Sequence, residues 1–133
     1  MNSSNFIKLF IFLVLSSYVG AQLSAMQPSC VGDGTIEYLH CCRALMQFTP
    51  DGSGDLVETR TKVTKNNFSC QLTLENKNGG QLKVSTSVVT QAIQAILEHC
   101  GQGAGSVNLP KLSTKPNEPD IQLSIGFGSG KYL

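Results

Sequence analysis

The sequence predicts an α+β fold: an antiparallel sheet of about four strands with two helices packed on one face, stapled by disulfides. Three observations lead there. Two segments repeat apolar residues at helical spacing, and between and after them other segments alternate apolar and polar residues. Each element is apolar on one side only, which suits two packed layers. All five cysteines fall after an N-terminal segment that reads as an export signal.

That segment is residues 1–21, MNSSNFIKLFIFLVLSSYVGA. It holds one early cation, Lys8, then an apolar run from Leu9 to Leu15, then small residues ending in Ala21. This is the build of a signal peptide, and the run is too short to span a bilayer. Cleavage after Ala21 leaves residues 22–133 as a single secreted domain, expected outside the cell. Loss of Lys8 takes the formal charge from +1 to about zero. No run of Lys or Arg marks a nucleic-acid or anionic-lipid surface, so no nucleic-acid partner is expected.

The first helical pattern begins near Thr35, with Ile36, Leu39, Cys42, Leu45 and Met46 at steps of three and four. Asp33 or Thr35 would cap it, and Pro50-Asp51-Gly52-Ser53-Gly54 ends it. On that phase Cys42 faces the core with Leu39 and Met46, and Cys41 points about 100° away. Residues 56–63 then read as one half-solvated strand, with Val57, Thr59, Thr61 and Val63 on one face. Phe68, Cys70, Leu72 and Leu74 form the inward face of the next strand. Asn76-Lys77-Asn78-Gly79-Gly80 has hairpin composition, and Leu82 and Val84 resume alternation in a returning strand.

The second helix is the strongest pattern in the chain. Val89, Ala92, Ile93, Ile96, Leu97 and Cys100 make one wide stripe, with caps at Ser85, Thr86 or Ser87 and a stop at Gly101 and Gly103. A polar connection is expected over 102–119. Ile121, Leu123, Ile125 and Phe127 then form one face of a last strand.

Cys30, Cys41, Cys42, Cys70 and Cys100 are the disulfide candidates. An odd number leaves one thiol over, or one covalent dimer, and the fifteen two-bridge arrangements stay open on sequence alone. A Cys70–Cys100 bridge between layers and a sideways bridge from Cys41, such as one to Cys30, suit the expected faces. Asn67-Phe68-Ser69 is a glycosylation sequon, making Asn67 the candidate acceptor on a turn before a strand.

Chemistry-bearing residues are few. His40 beside Cys41 and Cys42 lacks the second pair of ligands that structural zinc needs, so no metal and no cofactor are expected. A Cys–His nucleophile is disfavoured by oxidising export, and no acid to orient the histidine is evident. Tyr38, His40, Glu58, Arg60 and His99 are residue types used by small secreted fungal ribonucleases, with Glu58 and a histidine as acid and base. Their Tyr-x-His motif lies on a strand, whereas here it falls in a helical pattern. Gly126-Phe127-Gly128-Ser129-Gly130-Lys131 lacks the Walker spacing and reads as a tail. No catalytic residue is assigned.

The stretch FSCQLTLENKNGG, then AIQAILEHC, then Gly103-Ala104-Gly105-Ser106, a long loop and the strand from Asp120 to Phe127 resembles the killer toxin-like secreted proteins of fungi and their necrosis-inducing effectors. The likeness covers roughly residues 68–128. It implies a cysteine-bearing strand, a Gly/Asn turn, a helix ending in cysteine and a last amphipathic strand in an α+β sandwich. It also implies a virulence-related effector that binds a protein or membrane component of a host or competitor, without catalysis. This chain lacks a cysteine after Cys100 that the toxins carry. A secreted ribonuclease-like protein and a secreted inhibitor of host hydrolases, with residues 101–120 as its binding loop, are the alternatives.

Overall fold

A computed structural model describes residues 26–32, 34–111 and 119–129, so the expected export segment lies outside the described residues. Five strands form the main sheet: β1 (Ser29–Gly32), β3 (Lys62–Asn67), β4 (Cys70–Asn76), β6 (Ala104–Asn108) and β7 (Ile121–Phe127). Their order is β1-β6-β7-β4-β3, and every neighbouring pair is antiparallel. A second, two-stranded sheet pairs β2 (Asp55–Glu58) with β5 (Leu82–Ser85). Among the described residues two helices complete the fold, α1 (Tyr38–Leu45) and α2 (Thr86–His99).

Strand alternation sets the layers. Leu72 pairs with Ile125 and Leu74 with Leu123, while Val107 meets Leu123 from the other side. All five are buried. Their neighbours Gln71, Thr73, Gln122 and Ser124 stay partly solvated on the opposite face. Helix α1 packs over β3 and β4, α2 over β6 and β7, and the helices touch each other. Val89, Ala92, Ile93, Ile96 and Leu97 carry α2 into the core as its stripe predicts. Ser85 caps α2 by position only, since its hydroxyl turns to Ser87 at 2.9 Å.

Four expectations are corrected. First, residues 56–63 are not one strand. The chain leaves the small sheet after Glu58 and enters the main sheet at Lys62, and between them the Thr61 carbonyl accepts the Asn76 amide at 2.8 Å. Second, the 76–80 turn does not close a hairpin. It carries the chain from β4 into β5, which pairs with β2 instead. Asn76 organises it: its Oδ1 accepts the Asn78 amide and its Nδ2 donates to the Gln81 carbonyl. The turn is also fixed to the start of β7, where the Lys77 amide donates to the Asp120 carbonyl at 2.7 Å.

Third, the expected loop over 102–119 contains strand β6, and the lead-in near Cys30 forms its neighbour β1. Gly105 sits at this crossing under α2. A Cβ there would lie 2.8 Å from the Ser29 carbonyl oxygen, 2.9 Å from Cys100 Sγ and 3.1 Å from Ile96 Cγ2, so only glycine lets the three elements close. Fourth, Phe68 is not part of a strand. It occupies the two-residue turn between β3 and β4 with φ +46°, a conformation unusual for a bulky residue.

Candidate functional site

The segment that leads into α1 is extended. Glu37 has φ −82° and ψ 131°, so the helix begins at Tyr38 rather than near Thr35. Ile36 is fully buried, but as part of the extended lead-in, with its amide donating to the Gln102 carbonyl at 2.8 Å. Its burial therefore does not set the phase of the helix. The buried face of α1 is Cys41, Ala44 and Leu45, continued by Phe48. Of the expected inward helical set Leu45 keeps its place, while the others turn outward: Leu39 is 55% exposed, Met46 is 81% exposed, and Cys42 is half-buried.

This rotation decides the disulfides. Cys41 bridges Cys70, joining α1 to β4 with Cα atoms 5.1 Å apart. Cys30 bridges Cys100, joining β1 to the end of α2 with Cα atoms 5.5 Å apart. Cys42 holds the free thiol. The anticipated Cys70–Cys100 and Cys30–Cys41 bridges and the core-facing role of Cys42 are thereby corrected. The two layers are stapled twice, each time between a helix or its end and a strand.

The sequon asparagine is buried. Asn67 is 5% exposed at the end of β3, opposite Cys70, and its Oδ1 has no hydrogen-bond partner. Two residues of the ribonuclease reading stand apart from the others. Glu58 Oε1 accepts the Thr49 amide at 3.0 Å from the small sheet, and His99 is exposed at the end of α2. Among the described residues no three His, Cys, Asp or Glu side chains gather as a metal site would require. No described helix is long and apolar enough to cross a membrane.

What the fold does bring together is Glu37, His40 and Ser69. Ser69 follows Phe68 in the β3–β4 turn, and that turn meets the start of α1. Ser69 Oγ lies 2.7 Å from His40 Nδ1, and the Ser69 amide donates to the same nitrogen at 3.3 Å. On the far side of the ring, Nε2 lies 3.3 Å from Glu37 Oε2. A carboxylate only accepts, and the Ser69 amide only donates. The consistent assignment therefore puts the imidazole proton on Nε2 and leaves Nδ1 a bare acceptor for the Ser69 hydroxyl. Ser69 Oγ in turn accepts the Glu37 amide at 3.0 Å. The Phe68 ring lies against the imidazole, centroids 5.2 Å apart and tilted by 30°. The Gly128 amide, donating to the Ser69 carbonyl at 3.0 Å, ties the turn to the end of β7.

His40 was legible as a candidate, although in the company of its cysteine neighbours. Ser69 and Glu37 were not. Ser69 is 29 residues from His40, and no local motif announces a contact made by a tertiary turn. The Glu37-x-x-His40 spacing is the one sequence signal, since residues three apart share a helix face.

A cavity of about 490 Å³ lies between Ile36 and Tyr38 on one side and the C-terminal turn of α2 on the other. Ile36 and Leu97 form its apolar wall, and Tyr38, Gln94, Glu98 and Gln102 its polar rim. The Tyr38 phenol is held above its ordinary pKa, first by its hydrogen bond with Cys42, then by burial, then by the charge Cys42 acquires on ionising.

A scan against protein-family models finds no match to this chain. No curated protein matches it either.

Proposed function

We propose that this protein is a small secreted effector, similar to the killer toxin-like proteins, that acts outside the cell by binding a component of a host or a competing organism. The observation that carries the reading is the arrangement around Cys70 and Cys100. A strand opening in a bridged cysteine leads through an Asn/Gly turn and the short strand β5 to a helix followed by a second bridged cysteine, then through a glycine-rich turn to the remaining strands. Two disulfides holding a domain of this size suit an oxidising extracellular setting. The cavity at Ile36, Leu97 and Glu98 supplies a concave surface of mixed apolar and polar lining, the form that recognition sites take.

The test is direct. Purified residues 22–133, oxidised, are applied to plant tissue and to competing fungi. The expected result is necrosis or growth inhibition that weakens when Glu98→Lys reverses the charge on the cavity rim. Normal tissue and normal growth at every dose, with no binding to host or fungal extracts, would remove the reading.

A further inference from the structure

Glu37, His40 and Ser69 are joined in the order a serine nucleophile requires: hydroxyl to bare ring nitrogen, ring N–H to carboxylate. We propose that Ser69 is an activated nucleophile toward acyl esters, with His40 as its general base and Glu37 as the positioning residue. The ring is turned relative to the common arrangement, with serine at Nδ1 and acid at Nε2. The chemistry needs one bare nitrogen and one N–H held by an acceptor, whichever nitrogen plays each part.

Three further features of the site fit the role. The hydroxyl stands at 2.7 Å from its base, within the range for proton transfer. Phe68, immediately before it, holds φ +46°, a backbone strain of the kind kept where a turn must present a side chain. The amide that Ser69 Oγ accepts belongs to Glu37, directly before the first turn of α1. A helix leaves its first amides without internal partners, and α1 begins one residue on, at Tyr38. The site is also reachable: Ser69 is half-buried, His40 is 18% exposed and Glu37 is 63% exposed in their side chains.

The step balances without a redox partner. Ser69 Oγ bonds to the acyl carbon as its proton passes to His40 Nδ1. The ester C–O bond breaks, and the alcohol leaves with that proton. Water, deprotonated by the same nitrogen, then releases the acid and restores the hydroxyl.

The experiment treats the oxidised protein, residues 22–133, with an alkyl fluorophosphonate, which forms a stable adduct on activated serines with loss of fluoride. Adduct is mapped by peptide mass, and p-nitrophenyl acetate hydrolysis is followed in parallel. One adduct is expected, on Ser69, absent after reduction and denaturation. His40→Ala should slow its formation by about a hundredfold. Glu37→Gln should slow it about tenfold and change the pH profile of the rate, which a purely structural contact would leave unmoved. Ester hydrolysis should fall to the uncatalysed rate in Ser69→Ala. No adduct, an adduct elsewhere, equal labelling of the unfolded chain, or hydrolysis equal in Ser69→Ala would each overturn the proposal. Because labelling of the wild-type fold is itself decisive, the test does not depend on any variant folding.

Discussion

Cys41 is bonded to Cys70 across the contact of α1 with β4, while its neighbour Cys42 keeps its thiol on the outer side of the same helix. Adjacent residues on a helix point about 100° apart, so one can enter the core only if the other turns away from it. Peptide mapping without reduction should therefore find Cys30 with Cys100 and Cys41 with Cys70. Maleimide should modify Cys42 alone. A map that places Cys42 in a bridge would reverse the helix phase described above.

The two bridges should differ in worth. Closing a span of 29 residues in the unfolded chain corresponds to about 3.6 kcal/mol in the chain-entropy model, and a span of 70 residues to about 4.4 kcal/mol. The double variants Cys41→Ala/Cys70→Ala and Cys30→Ala/Cys100→Ala, compared by urea denaturation, test this. Cys41 and Cys70 are also completely buried, so removing them adds a packing loss that Cys30, at an exposed edge, does not incur. The expected outcome is that the shorter bridge costs at least as much as the longer one.

Gly105 should be intolerant of even one methyl group. The Ser29 oxygen is backbone and Cys100 Sγ is held in a disulfide, so neither can swing aside. Gly105→Ala is expected to cost about 1–3 kcal/mol by overpacking. Gly126, whose added Cβ would come no closer than 4.0 Å to Gln71 Cβ, is the control for space alone. Equal melting temperatures for wild type and Gly105→Ala would show that β1, β6 and α2 can move apart freely.

Tyr38 should ionise later than a free tyrosine, because of its neighbour Cys42. The phenol's ordinary pKa is 10.0, and the folded value is raised, chiefly by the Cys42 hydrogen bond. A raised folded value means that the associated stability is intact below about pH 10 and lost as pH climbs through the folded pKa. In residues 22–133 with Tyr132→Phe in the background, tyrosinate absorbance reports Tyr38 alone. Cys42→Ala should move its midpoint down toward the ordinary value. An unmoved midpoint would assign the shift to burial instead.

Much of the architecture was legible. The stripe of α2, the alternation of β4 and β7, and the turns at 50–54 and 76–80 are local patterns, and local patterns survive folding when each has a face to bury. The errors fell where a local pattern admits two partners. Residues 56–63 alternate well enough for one strand, yet the chain divides them between two sheets. Leu82 and Val84 fit a returning strand, but pairing with β2 rather than β4 depends on what lies across the space between them. Strand β6 went unseen because Ala104 and Gly105 are small, chosen to fit beneath α2 rather than to display apolar alternation.

The sequence by itself determined an α+β domain with two amphipathic layers, five cysteines to tie them and no charge run to mark a polyanion surface. Each of these follows from composition and short-range periodicity. Only the tertiary structure decided which sulfurs join, because the phase of α1 depends on an extended Ile36-Glu37 lead-in that periodicity reads as helix. It alone brought Ser69 to His40. That contact exists because Phe68 holds a left-handed turn at one end of the sheet and α1 begins where the turn arrives, a coincidence of two elements that neither segment encodes separately.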